Sequence, residues 1–378
     1  MRLETMTVMI LDEALDRLRD TGPERDGWLS NHAPMAVEAL VHAGHSDRVH
    51  RWIDDYADRL EERPRGIARI HPDEWREPLG DPVRTGDWLD LFDIELRAAP
   101  WQDVLTRWWP RLLPGIAAGA THGVIRVGHA VRALRAAPTP ARITELGQGL
   151  AYWAARWQPL APAGAGPYRT SDPRAALDAV PRIPDQRFGI RHRLAQLADL
   201  PQPPSPPVAD GDSGRGADGD RGDGRGGDGG DGDRGEGRGD GDDGRGGDTR
   251  ERLAAVVAAA ARRHGEYGHG SPVMMVHAVT APNAVQRVLP ALPPSLWPAS
   301  LAAAWAATAA ITAAYSPAEP RPLPAPRPGL TVADLTARAA AIGDAHAIKY
   351  ADAVADVLAS GPEPALLAAA LRSVDDLA

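Results

Sequence analysis

From Pro201 to about Thr249 the chain carries almost no side chain able to enter a core. The stretch opens proline-rich and becomes a tract of Gly, Asp and Arg. Apolar burial is what offsets the entropy of an ordered backbone, so this segment is expected to be disordered. It divides the 378 residues into an N-terminal part, 1–200, and a C-terminal part, 250–378. The insertion contains formal Gly-x-Gly-x-x-Gly matches, such as Gly222 to Gly227, with neither a strand before nor a helix after to make a dinucleotide fold. Between Asp210 and Arg250 there are 13 acidic residues against 7 arginines, which argues against RNA as a partner despite the Arg-Gly pairs. That region accounts for −6 of the net −9, so about −3 remains for the rest, no signature of a polyanion-binding body.

Outside the insertion, apolar residues recur at helical spacing and proline or glycine punctuates the segments. Helices are expected over Thr7–Asp20, Ala36–His42, Val49–Leu60, Gly119–Ala136, Arg142–Trp157 and Gln186–Leu200. After the insertion they are expected over Arg250–Arg263, Met274–Val285, Leu301–Ala314, Val332–Ala359 and Glu363–Val374. Ile70 to Pro114 alternates short helices with proline breaks and is dense in tryptophan, mostly core. Pro159 to Pro181 reads as loosely structured. Strand signals are nearly absent, so the fold class is all-α: one large multi-helical domain whose two parts close over the insertion. No cysteine is present, which excludes disulfides, thiolate nucleophiles and cysteine-held metals and fits a cytoplasmic location. Met1 to Arg17 mixes acidic residues into its apolar part, unlike a signal peptide, and Leu301–Ala314 is short for a membrane span; no membrane partner is expected.

Lys349 is the only lysine among 42 basic residues. Arginine does the solvating work of lysine but cannot give up its proton, whereas a buried amine does so readily. The neutral amine can act as a nucleophile or combine with carbon dioxide to give a carbamate. His346 lies three residues earlier, on the same helical face. His32, His122 and His277 likewise adjoin small or apolar residues on expected helices, with Ser30, Asn31 and Thr121 available as caps. His129, seven residues after His122, is the alternative to it, while His42, His45 and His50 read as a solvated loop. Four neutral imidazoles and one oxygen donor suit a redox-active first-row metal with one position left open.

At Ser30-Asn31-His32-Ala33-Pro34-Met35, Trp108-Trp109-Pro110, Thr121-His122-Gly123-Val124-Ile125, Val276-His277-Ala278-Val279-Thr280 and His346-Ala347-Ile348-Lys349-Tyr350 the chain resembles the questin oxidase-like family. The resemblance rests on the order of these motifs and spans the chain apart from the insertion. It implies a mononuclear non-haem iron held by His32, His122, His277, His346 and carboxylated Lys349. It also implies an oxidoreductase that takes dioxygen to an aromatic polyketide such as an anthraquinone and cleaves a carbon–carbon bond in a Baeyer–Villiger-like manner, with NADPH as a possible reductant. Arg126 is expected to neutralise negative charge on substrate or oxygen, and Tyr350, Asn31 and Asp344 to orient ligands. Two other readings compete: a metal-dependent hydrolase built on a carbamylated lysine, and a metal-free helical binding scaffold.

Overall fold

The computed structural model describes residues 2–160, 172–199 and 242–378, without the side chains of residues 2–7, 198–199 and 242–248. The expected disorder of 201–249 falls outside the described residues as far as 241. Among the described residues the N-terminal part holds α1 (Arg2–Leu18), α2 (Ala33–His42), α3 (Val49–Ala57), α4 (Thr85–Ala98), α5 (Trp101–Leu112), α6 (His122–Ala136), α7 (Pro140–Ala155), α8 (Pro173–Asp178) and α9 (Ile190–Ala195). The C-terminal part holds α10 (Asp242–Tyr267), α11 (Pro272–Val288), α12 (Trp297–Tyr315), α13 (Val332–Ile342), α14 (Ala345–Leu358) and α15 (Pro364–Asp375).

The all-α reading holds, with four local departures. A small antiparallel sheet, β1 (Thr21–Arg25), β2 (Leu29–Ser30) and β3 (Leu60–Glu62), forms in the order β2-β1-β3. Its hairpin turns at Asp26-Gly27, both at positive φ, a turn signature the strand-poor composition obscured. Helix α10 begins at Asp242 rather than after Thr249, because extension is cheap once a packed segment such as Leu253–Ala261 anchors it. Helix α8 interrupts the stretch expected to be loose, started by Asp172, whose side chain accepts from the Arg174 amide, and by Pro173. The expected single helix Val332–Ala359 is two, since Gly343 adopts φ 78° to end α13 and Asp344 caps α14.

Among the described residues five indoles, Trp88, Trp108, Trp109, Trp153 and Trp305, are fully buried, and Trp88–Trp108 and Trp109–Trp153 meet edge to face at 5.7 and 5.4 Å. Among the described residues one stretch, Pro294–Tyr315, is long and apolar enough to cross a membrane. It exceeds the run read from sequence, and 67% of its apolar window is buried within the protein.

Helices α2, α6, α11 and α14 pack as a closed ring, each against the next. Gly128 lets α6 come close to α11: a Cβ there would stand 2.6 Å from Ala284 Cβ. Gly128→Ala is therefore expected to lower stability by about 1–3 kcal/mol through overpacking. Chemical denaturation checks this, and an unchanged midpoint would show that the two helices are not held this tightly.

Candidate metal centre

Each helix of the ring brings one imidazole to the same point. His32 is the residue before the first turn of α2, His122 opens α6, His346 is the second residue of α14, and His277 lies in the second turn of α11. One nitrogen each of His32, His122 and His346 lie within 4.8 Å of one another. His122 Nε2 is 2.8 Å from His32 Nε2 and 3.1 Å from His277 Nε2, and the His277 and His346 rings are centred 5.5 Å apart. All four are buried, His346 being the most exposed at 8%.

The outer nitrogens decide the tautomers. His122 Nδ1 is 2.6 Å from the Gly119 carbonyl and His277 Nδ1 is 3.2 Å from the Met274 carbonyl. A carbonyl only accepts, so both Nδ1 atoms donate and both Nε2 atoms present bare lone pairs. Burial, followed by the nearby Lys349 charge, holds both imidazoles well below the ordinary basicity of histidine, so neither takes a second proton. Two bare nitrogens thus face each other at 3.1 Å with no proton to share, an arrangement that a cation resolves. His346 Nδ1 lies 3.4 Å from Asp344 Oδ1, the same carboxylate oxygen that caps α14 by accepting from the His346 and Ala347 amides.

Lys349 is 1% exposed, and among the described residues its Nζ has no hydrogen-bond partner. Its charge is felt by all four imidazoles. Burial brings the amine down from 10.5 to about 7, so a large neutral fraction exists near neutrality. The histidines, the amine and their surroundings fit a metal. They supply four nitrogen donors, and a carbamate on Lys349 would add one anionic oxygen, a set that suits a first-row metal ion.

The loop feeding α6 is strained. Gly119, Ala120 and Thr121 all take positive φ (53°, 57° and 72°), and the turn they make presents the Gly119 carbonyl to His122. Thr121 is therefore not the expected cap: its side chain makes no capping bond, and among the described residues its buried hydroxyl has no partner. Asn31 serves the turn before α2, its Oδ1 accepting from the Ala33 amide and its Nδ2 donating to the Gly22 carbonyl.

Three candidates named from sequence bond to groups other than the four imidazoles. Arg126, one turn beyond His122, faces α7, where Nε and Nη2 donate to Glu145 at 2.6 and 2.8 Å and Nη2 also to Gln148. Tyr350 is rotated about 100° from Lys349, toward α10, donating to the Ala261 carbonyl and lying 4.6 Å from the His264 ring. His129 is held by Glu38, Nδ1 to Oε2 at 2.7 Å, and so is not exchanged for His122.

Glu38 and His129 belong to a buried ion-pair lattice that sequence reasoning missed. Arg132 donates to Glu38 and, in bidentate fashion at 2.9 Å, to Asp352; Arg287 donates to Asp352 at 2.7 Å and to Asp356 at 2.8 Å. Its members come from α2, α6, α11 and α14, the four helices that carry the imidazoles. The one signal for it was Glu38, a lone acid in the otherwise apolar run Ala33–Val41.

Comparison of the sequence with protein-family models and with curated proteins gives no match.

In metal-free protein the buried amine destabilises the fold. Its pKa is depressed in the folded state, so the unfolded chain binds the extra proton between about 7 and 10.5, and stability is lost as pH falls through that window. Lys349→Met is expected to flatten this pH dependence and raise the melting temperature of metal-free protein at pH 7. A variant no more stable than the parent would mean that the amine is solvated.

Proposed function

We propose that the chain is a metal-dependent oxidoreductase, a mononuclear non-haem iron oxygenase of the questin oxidase-like kind acting on an aromatic polyketide. The observation that carries the reading is the meeting of bare imidazole nitrogens beside an unpartnered, buried lysine amine. Neutral Lys349 attacks carbon dioxide, forms an N–C bond and releases a proton, leaving a carbamate oxygen to join His32, His122, His277 and His346. The negative charge has a specific value here. The N-terminal ends of α2, α6 and α14 all lie at the centre, and their partial positive charges disfavour an uncompensated cation.

Bound iron would supply the capacity to bring dioxygen and an electron-rich ring to reaction. The protein's own part is to hold the donors and fix their tautomers through Gly119, Met274 and Asp344. It also keeps the centre dry, which strengthens each electrostatic contact. Arg126 and Tyr350 support helix packing in this scheme rather than touching substrate.

The hydrolase alternative calls for a second cation. The other buried histidine–carboxylate group, Glu38, His129 and Asp352, already has its charge met by Arg132 and Arg287. A single metal is favoured.

Metal analysis of purified protein tests this, together with oxygen uptake on a panel of hydroxylated aromatic polyketides with and without NADPH. One iron per chain and substrate-dependent uptake are expected. Lys349→Arg, which cannot form the carbamate, is expected to weaken metal binding at least ~100-fold. Full iron occupancy in that variant sinks the ligand assignment, and two zinc ions per chain favour the hydrolase.

A further inference from the structure

Arg25 ends β1, and the same hairpin leads through Ser30 and Asn31 directly to His32. Its side chain is 9% exposed. Among the described residues the guanidinium makes one hydrogen bond, from Nη1 to Asp26, and its buried Nε has no partner. Asp26 is a half-shared counter-ion: it is 44% exposed and also receives Arg59 at 3.1 Å. The guanidinium lies over the Tyr56 ring at 5.7 Å, and the hydroxyl of that ring accepts the His32 amide at 3.2 Å. Arg25 and the main chain of His32 thus share one tyrosine. The positive charge of Arg25 is felt at His32, His346 and Lys349.

A guanidinium removed from water with donors unspent is poised for a planar oxyanion, which it can grip through two parallel N–H bonds. The three helix N-termini at the centre favour the same sign of ligand.

We propose that Arg25 is the anion-recognition residue of this centre, binding a carboxylate or phenolate group of an aromatic substrate beside His32. The assignment rests on the metal-centre reading above and deepens it by naming the ionised group that substrates carry. Lys349 then remains a ligand, and substrate charge is met by Arg25 alone. Neutral aromatic ketones lacking an acidic group are poor ligands on this scheme.

The test uses benzoate, benzamide and bicarbonate as probes in calorimetric titration of metal-loaded protein, with metal content measured on every sample. Benzoate is expected to bind more tightly than its uncharged isostere benzamide. Arg25→Met is expected to lose roughly tenfold or more of benzoate affinity with little change for benzamide, and Arg25→Lys to lose less. Asp26→Asn is the decisive control. Position 26 has φ 51°, which Asn tolerates, and removing the counter-ion is expected to tighten benzoate binding about two- to fivefold. If Arg25 merely braces the hairpin, Asp26→Asn leaves benzoate binding unchanged or weaker, and the proposal falls. Equal affinity for benzoate and benzamide also overturns it, as does bicarbonate binding more tightly than benzoate. The metal content reports separately: one metal per chain without Arg25-dependent selectivity defeats this inference alone, whereas absence of metal defeats the reading of the centre.

Discussion

Nitrogen lone pairs repel one another, and a dry interior gives them nothing to soften the repulsion. Here His122 and His277 point theirs across 3.1 Å, beside an amine with no partner. Something must hold the four helices together against that. The lattice of Glu38, Arg132, Asp352 and Arg287 does so, because every helix that delivers an imidazole also delivers a charge to the lattice or receives one through it. Breaking one partner of a buried pair leaves an uncompensated charge, at a cost of about 3–5 kcal/mol, so the helices cannot drift singly. The frustration at the centre and the rigidity beneath it are two halves of one arrangement.

The positions that could be read from sequence were those whose chemistry is unusual for their surroundings. A single lysine in an arginine chain, and histidines embedded among small apolar residues, were legible because such side chains are costly to bury without a purpose. Tyr350 was assigned by adjacency to Lys349, and helical rotation sends it to a different neighbour, whereas Arg126 keeps the face of His122 and is taken up by Glu145 and Gln148 of α7, residues whose position the sequence did not show. His129 has the ligand spacing but meets Glu38, a residue that only the packing of α2 on α6 could reveal. The helix break at Gly343-Asp344 was written in the chain as a C-terminal glycine followed by a capping acid, yet the alanine-rich context on both sides hid it. The left-handed turn at Gly119–Thr121 has no comparable signal, since two of its three residues are not ones that favour that conformation.

Helix ends carry a consistent electrostatic message. Three N-termini converge on the centre, and the nearest cap, Asp344, is partly committed to backbone amides and to His346. On the reading proposed above, negative charge completes the balance, as a carbamate on Lys349 or as an ionised group on what binds beside it. The lattice lower in the ring has the opposite bias, with carboxylates Glu38, Asp352 and Asp356 set against guanidiniums Arg132 and Arg287. The interior is thus graded along the ring axis.

The order of the donors along the polypeptide has a consequence for biogenesis. His32 and His122 precede the Gly/Asp/Arg tract, whereas His277, His346 and Lys349 follow it. During synthesis the first two emerge long before their partners and cannot close the ring, since α11 and α14 do not yet exist. The nascent N-terminal helices must wait, half-assembled, until α14 has left the ribosome. On the reading proposed above, the full donor set exists only once residue 349 has been made, and a product that stops before α14 lacks two of its members.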